Sequence, residues 1–446
     1  MSETAITPML DITQFRSTGS ARSRRITVVP ESASTVTGST STSDITFAIP
    51  SGKLSMINGH NSYLMFDYQI EGSSTAASAT ELPVNLGWAN GSASSAIRGL
   101  ETIIQSQSVE YIDNYNVWAN IHNDFQPKDR SKGVQSILEG GAYDDNGVFI
   151  AATQLAQLNA DRQIKQPQTH ATGDWYRACI PIHSAVLGTL SHQALPAMDG
   201  IRLRLIFDTI KKATVGHTTT GYSVKNLRLQ LDYLDVEPSV HQQLVAESGG
   251  VFKTHAMGVA NYQGSQITTQ QNLSLLIPAR FSAVKAMLMT WRDSARVNGT
   301  QGADNKVGSR FFPKLDRYSW NIGGRQYPST EISAKTADHD SAAEPFMETV
   351  KVFGQLHSPN FDCVFNSKQY LSTANKTDNS FVLGLDFEEY GGSTRVVSGL
   401  DTTSSNIYFQ STHSGTVPFN AVIDTFVMYD LIIESDMVNG LVSYSK

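Results

Sequence analysis

Two stretches of alternating residues constrain this chain more than anything else in it. In Val224 to Pro238, Leu227, Leu229, Leu231 and Tyr233 fall on every second position, the period of a strand with one buried face. Ala421 to Ser435 repeats the device with Ile423, Val427, Tyr429, Leu431 and Ile433, and Thr425 fills the gap. Each stretch closes a block, and the blocks open alike, with Ile45 to Pro50 in one and Leu273 to Pro278 in the other. The chain reads as one all-β plan run twice.

The segments between support that plan. In the first block, Tyr63 to Ile70 alternates as a strand, and Ile103 to Ile112 is extended with a turn at Ser106 and Gln107. Asn114 is placed to cap a helix carrying Val117, Ile121 and Phe125 at helical spacing. A second helix is predicted over Ile150 to Leu158, with Ala151, Leu155 and Leu158 on one face, and strands over Tyr176 to Ile182 and Ile201 to Phe207. The second block has strands at Leu273 to Ile277, Phe281 to Trp291 and Tyr318 to Ile322, the last running into a Gly323-Gly324 turn. Pro345 suits a first helical position ahead of Phe346, Val350, Phe353 and His357. Strands return at Phe381 to Phe387, Asn406 to Gln410 and Ala421 to Ile433.

At 446 residues the chain exceeds one ordinary core. Two blocks of similar length with long loops predict an all-β fold of two consecutive jelly-roll β-sandwiches, with a few short helices in inter-strand loops. The expected division is a flexible N-terminal arm over 1–44, a first jelly roll over 45–236, a linker over 237–250 and a second jelly roll over 251–446. The linker carries Pro238 and ends in Ser248-Gly249-Gly250. In the arm, Ser32 to Ser43 holds only Ser, Thr, Gly, Ala and Val, too little apolar surface to fix itself. Arg16, Arg22, Arg24 and Arg25 precede it, and Met9, Ile12 and Phe15 lie three apart, as one edge of a short helix requires.

The residues offer little chemistry. Charged residues are only 17% of the chain and the net charge is −7, which argues against coating nucleic acid over the whole surface. The two cysteines, Cys179 and Cys363, fall one in each block and supply no disulfide framework. No apolar run approaches a membrane span, and the first residues lack the pattern of a secretory signal, so Asn90, Asn272, Asn298 and Asn375 are read as chance sequons. Asp338-His339-Asp340 has metal-ligand residue types but sits in a loop rich in Ala, Ser and Thr, and reads as solvated. His183 and Ser184 are adjacent, so a strand would point them to opposite faces. Asp386, Glu388 and Glu389 lack an apolar pocket that would raise one carboxyl for acid catalysis, and read as a polar sheet face. Trp118, Trp175, Trp291 and Trp320 are expected in the core, and Trp88, in a loop, as the one candidate sugar platform. The expectation is therefore no enzyme: no catalytic residue, no cofactor site and no metal site.

Several segments carry a family resemblance. Ser62 to Phe66 is similar to part of an opening sheet, Val109 to Val117 to a first-domain segment, Trp320 to Pro328 to its second-domain counterpart, and Ser398 to Thr403 to a late loop. Over most of the chain from Ile45, the paired blocks resemble the double jelly-roll major capsid proteins of icosahedral DNA viruses. That lineage includes adenovirus hexon, tectivirus coats, virophages and polinton-like viruses. The resemblance implies a homotrimer of pseudo-hexagonal outline that tiles an icosahedral shell, assembled inside the host cell and located in the virion. It implies neighbouring capsomers and minor capsid or penton proteins as partners, and no small-molecule substrate. It also implies an arm before Asp44 that faces inward or clasps neighbours, where Arg22, Arg24 and Arg25 could meet anionic lipid of an internal membrane or genome. The low charge agrees, because interface cores are depleted in charged residues.

Three other readings compete: a single jelly-roll capsid protein with a protruding domain, a secreted or surface carbohydrate-binding or adhesive double β-sandwich protein, and a β-sandwich glycan hydrolase. Four arginines are few for the arm of the first. The second needs exposed aromatic platforms, and the third a carboxylate pair.

Overall fold

The computed structural model describes residues 21–31, 35–38, 43–73, 87–88, 92–126, 134, 136–139, 175–191, 193–215, 218–297, 310–336, 338–341, 343–353, 363–373, 379–387, 399–436 and 439–446. Met9, Ile12, Phe15 and Arg16, the helix predicted over Ile150 to Leu158, and Glu388 and Glu389 lie outside the described residues.

The first block contains β1 (Ala21–Val28), β2 (Val36–Gly38), β3 (Ser43–Ala48), β4 (Ser55–Ser73), β5 (Gly87–Trp88), β6 (Ile97–Ile104), β7 (Gln107–Asp113), β8 (Tyr176–Pro181), β9 (Leu195–Pro196), β10 (Ile201–Phe207), β11 (Thr214–Val215) and β12 (Thr218–Val236). The second contains β13 (Val251–Gln266), β14 (Asn272–Ile277), β15 (Val284–Asp293), β16 (Leu315–Ile322), β17 (Arg325–Ser333), β18 (Leu383–Asp386), β19 (Ile407–His413), β20 (Ala421–Asp436) and β21 (Val442–Ser445).

Counting β1, β3, β4, β6, β7, β8, β10 and β12 as the principal strands of the first block, and β13 to β20 as those of the second, the two blocks share one topology. One sheet runs first, eighth, third, sixth: β1-β12-β4-β8 and β13-β20-β15-β18. The other runs second, seventh, fourth, fifth: β3-β10-β6-β7 and β14-β19-β16-β17. These ladders are antiparallel throughout. In each block the closing strand lies inside its sheet, which is why β12 and β20 carry the longest alternations.

Those alternations point where their period demands. Leu227, Leu229, Leu231 and Tyr233 of β12 are buried with Ile57, Leu64, Phe66 and Tyr68 of β4. Val224 is buried as well, three positions before Leu227 and so out of phase with it. A register shift between Lys225 and Arg228, with Asn226 at φ 55°, absorbs the extra residue and returns Leu227 to the core. In β20, Ile423, Val427, Tyr429, Leu431 and Ile433 are buried in the same way.

The expected arm over 1–44 is corrected by β1. Ala21–Val28 pairs along its whole length with Val236 to Leu229 of β12, and the first sheet begins there, two strands before Ile45. Local sequence conceals this, because β1 contributes only Val28 and the half-buried Ile26 to the core. Its hold is the backbone ladder. Arg24 pairs with Asp235 at 2.5 Å, and Arg25 bonds Gln230 and the Tyr63 hydroxyl. Arg22, Arg24 and Arg25 thus lie in an ordered sheet and not in an inward-reaching arm.

Other segments differ in detail. Most of the expected linker is a helix, Pro238–Glu247, with Pro238 at its first position, where a missing N–H costs nothing. The turn between β6 and β7 is Gln105-Ser106, both at positive φ, one residue earlier than predicted. Gly323 and Gly324, at φ 57° and 83°, close the β16–β17 hairpin as predicted. Pro345 is the third residue of helix Ala343–Val352 and not its first. Trp118, Trp291 and Trp320 are fully buried, whereas Trp175 is 41% exposed and lies under the Lys225 ammonium.

Candidate functional site at the seam between the blocks

An ordered assembly of buried polar groups lies between the blocks. It is built by β7, the helix Tyr115–Asp124 that follows it, and the outer face of the sheet β13-β20-β15-β18. Asn114 sits at the helix start with φ 52° and makes no side-chain cap bond. Its amide instead crosses the seam to Asp424 Oδ1 at 3.0 Å. The same oxygen accepts from Gln263 at 2.9 Å and Asn261 at 3.3 Å, while Oδ2 accepts from Arg292 Nε at 2.6 Å. Asp424 has no exposed surface, so four donors replace the water it loses. One turn on, the Trp118 ring packs 5.4 Å from Phe426.

The far end of the helix is anchored by a second buried charge. Asp124 pairs with Arg310 of the second block, and Val364 N donates to the Asp124 carbonyl at 2.9 Å. Burial draws the Arg310 guanidinium down to about 9, with the Asp124 carboxylate against it. Beside this pair Phe125 stacks on Phe353 at 4.3 Å and meets Phe346 and Phe365, while His122 stacks on His183 at 4.8 Å.

Glu110 of β7 is the third buried charge. Its carboxylate accepts from Ser184 Oγ at 2.5 Å, from Ala185 N at 3.0 Å and from Val259 N of β13. Burial outweighs these bonds and raises the carboxyl to about 7. The edge of β13 is closed by the first block too, with Met257 N bonding the Leu190 carbonyl and His255 N bonding Gln193. This arrangement holds two sandwiches in one orientation. The Ser184 hydroxyl and the Glu110 carboxylate that it bonds are both fully buried.

The residues singled out from the sequence are scattered. Asp338, His339 and Asp340 form an exposed turn closed by Thr336, and among the described residues no three His, Cys, Asp or Glu side chains are placed to hold a metal. Ser184 bonds Glu110 while His183 bonds Thr189, so the two do not act together. Asp386 ends β18. Cys179 and Cys363 form no disulfide, and Cys363 Sγ donates to the Phe365 carbonyl at 3.2 Å. Trp88 is not a sugar platform: it is fully buried against Tyr68 and Tyr222, because β5 tucks it under β4 and β12.

Of the seam residues, Asn114, Trp118, Phe125, His183 and Ser184 are named from the sequence, as a helix cap, core or helix-face residues and strand neighbours, whereas Asp424 is not. Nothing local marks Asp124, Arg310 or Glu110, whose partners are remote in the chain.

No protein-family model and no curated protein matches the sequence. Solved structures do match in fold. The PBCV-1 virus capsid aligns with TM-score 0.59 at 9% identity, over 97% of this chain and 98% of that one. The Faustovirus major capsid protein aligns with TM-score 0.59 at 8% identity, over 93% and 91%. The mavirus major capsid protein aligns with TM-score 0.53 at 10% identity, over 94% and 90%. The fold is the double jelly roll. Both rolls are covered by these alignments, and in both the eight-strand order is that of a jelly roll.

Proposed function

We propose that this double jelly roll is the major capsid protein of an icosahedral virus, a structural subunit of the virion shell and not an enzyme. The observation that carries this reading is the repeat itself. One chain holds two rolls of the same strand order, locked by buried polar contacts, in a fold shared nearly end to end with capsid proteins. Three such chains supply six similar units, enough for a capsomer of pseudo-hexagonal outline with threefold symmetry. Neighbouring capsomers and minor or penton proteins then complete the shell inside the host cell. The sheet of small polar and aromatic side chains across β14, β19 and β16, with Asn272, Ser274, Tyr408, Gln410 and Asn321, suits lateral contacts of this kind.

The division of labour follows the strand plan, with a first roll from β1 to β12, the helix Pro238–Glu247 as connector, and a second roll from β13 onward. Light scattering of the purified protein tests the reading. A stable species of three 48.7 kDa chains, and shells in electron micrographs at high concentration, are expected. A monomer at all concentrations overturns it.

A further inference from the structure

Inside the second roll lies a buried network in which one donor-only atom sets the direction of the hydrogen bonds. The Trp291 indole nitrogen can only donate, and it donates to Gln266 Oε1 at 2.9 Å. The Gln266 amide is thereby oriented, and its Nε2 donates to the Gln270 carbonyl at 3.0 Å. The same nitrogen meets His413 Nε2 at 2.9 Å. An NH2 group accepts nothing, so His413 Nε2 must accept, and the imidazole proton sits on Nδ1. Nδ1 accordingly donates to the Pro313 carbonyl at 2.9 Å. The Ser411 hydroxyl lies 3.1 Å from Nε2. Trp291, Gln266, Ser411 and His413 are all buried.

The network stands where connections of the roll meet. Gln266 ends β13, Trp291 lies near the end of β15 and His413 ends β19, so both sheets contribute. Backbone bonds gather the connections beside it: His413 N donates to the Gln271 carbonyl at 2.8 Å, Ser414 N to Lys314 at 2.8 Å and Val417 N to Thr268 at 3.0 Å. Segments 267–271, 311–314 and 414–420 are thus drawn around one imidazole. Its bonds go to Gln266, Ser411 and Pro313, and no carboxylate is among them. Of the charged residues adjoining these positions in the chain, Lys314 is half-buried, Arg292 is held by Asp424, and Asp293 accepts from Ala295 N. Burial holds the imidazole below its usual 6.5, although the Pro313 bond opposes this.

We propose that His413 is an acid-operated release for this end of the second roll. A second proton turns Nε2 into a donor that faces the Gln266 NH2, and two donors cannot bond each other. The Ser411 oxygen accepts from Nε2 instead, the link between β13 and β19 breaks, and a charge with no bonded carboxylate is left in a buried site. Opening the end to water relieves that charge, so acid loosens segments 267–271, 311–314 and 414–420 together. The seam responds with the opposite sign, because protonating Glu110 removes a buried charge there. In acid, one end of the second roll therefore opens while the two rolls stay joined. The inference does not depend on the capsomer reading.

Hydrogen exchange of the full-length protein over a series of pH values tests it, with the intrinsic rate divided out. The amides of His413, Ser414 and Val417 report on this end, and that of Met257, bonded to the Leu190 carbonyl, reports on the seam. Below pH 6.5, the opening of the first three is expected to rise by up to about tenfold per pH unit, while Met257 does not follow. His413→Gln should abolish this pH dependence. Gln266→Glu sets an acceptor opposite Nε2 and should reverse it. If neither variant folds, nitrogen NMR of the wild-type imidazole decides, with the proton on Nδ1 at neutral pH and titration below 6.5 as the expected result. A proton on Nε2, a midpoint at or above 6.5, or an equal acid response at Met257 overturns the inference.

Discussion

Asp124, the last residue of the seam helix, and Arg310, which lies within the second roll just ahead of β16, form an ion pair with 3% and 0% of their side chains exposed. Each charge is tolerable there only because the other is present, since desolvating a lone charge costs several kcal/mol. The pair therefore acts as a register pin between rolls.

Removing one partner is expected to cost about 3–5 kcal/mol, because the other stays buried and unpaired. Asp124→Ala or Arg310→Ala should lower the urea midpoint sharply. Asp124→Leu combined with Arg310→Met should recover most of that loss. A double variant no better than the singles would show that the ion pair is not the seam's main tie.

Glu110 makes the seam sensitive to pH, and the sign follows from its shift. Its carboxyl is raised from 4.5 to about 7 in the folded chain, so the folded state keeps a proton that the unfolded state releases. Its contribution is fully favourable below about pH 4.5 and is lost as pH rises through about 7. The accumulated penalty above that is roughly 3 kcal/mol. Glu110→Gln should flatten this part of the stability profile and be the more stable form at pH 8, measured by urea unfolding at a series of pH values.

Gly384 of β18 faces the helix Ala343–Val352 at a distance that leaves no room for a side chain. A Cβ there would lie 2.7 Å from Thr349 Cα and 2.9 Å from Val352 Cγ2. Gly384→Ala must push the helix off the sheet, and overpacking of this kind typically costs 1–3 kcal/mol, about the size expected here. A lowered thermal midpoint with circular dichroism otherwise unchanged is the expected result, and no change would mean that the helix is loosely held.

Truncation separates a strand from whatever precedes it. Deleting residues 1–20 leaves β1 and its ladder with β12 intact, and the thermal midpoint should hold. Deleting residues 1–30 strips the edge of the first sheet, exposes the β12 backbone along Leu229 to Val236, and should lower the midpoint and promote aggregation. Equal midpoints for the two would show that β1 adds nothing to the fold.

Much of the architecture was legible in the sequence because sheets write themselves in a period of two. The alternations in Val224 to Pro238 and Ala421 to Ser435 identified the long central strands, the Gly323-Gly324 pair identified a hairpin, and their recurrence identified two rolls. β1 escaped because an edge strand held by backbone bonds needs few apolar side chains, and its arginines read as a solvated arm. Trp88 and Trp175 were interchanged because solvent exposure depends on what folds over a side chain, and local pattern carries no record of that. Asp124 meets Arg310, and Glu110 meets Ser184 and Val259, across separations that only the closed chain spans. Local sequence determined the strands, their inward faces and the doubled plan, since each depends on neighbours a few residues apart. The tertiary structure alone decided the pairing of buried charges, since that depends on how two finished sandwiches meet.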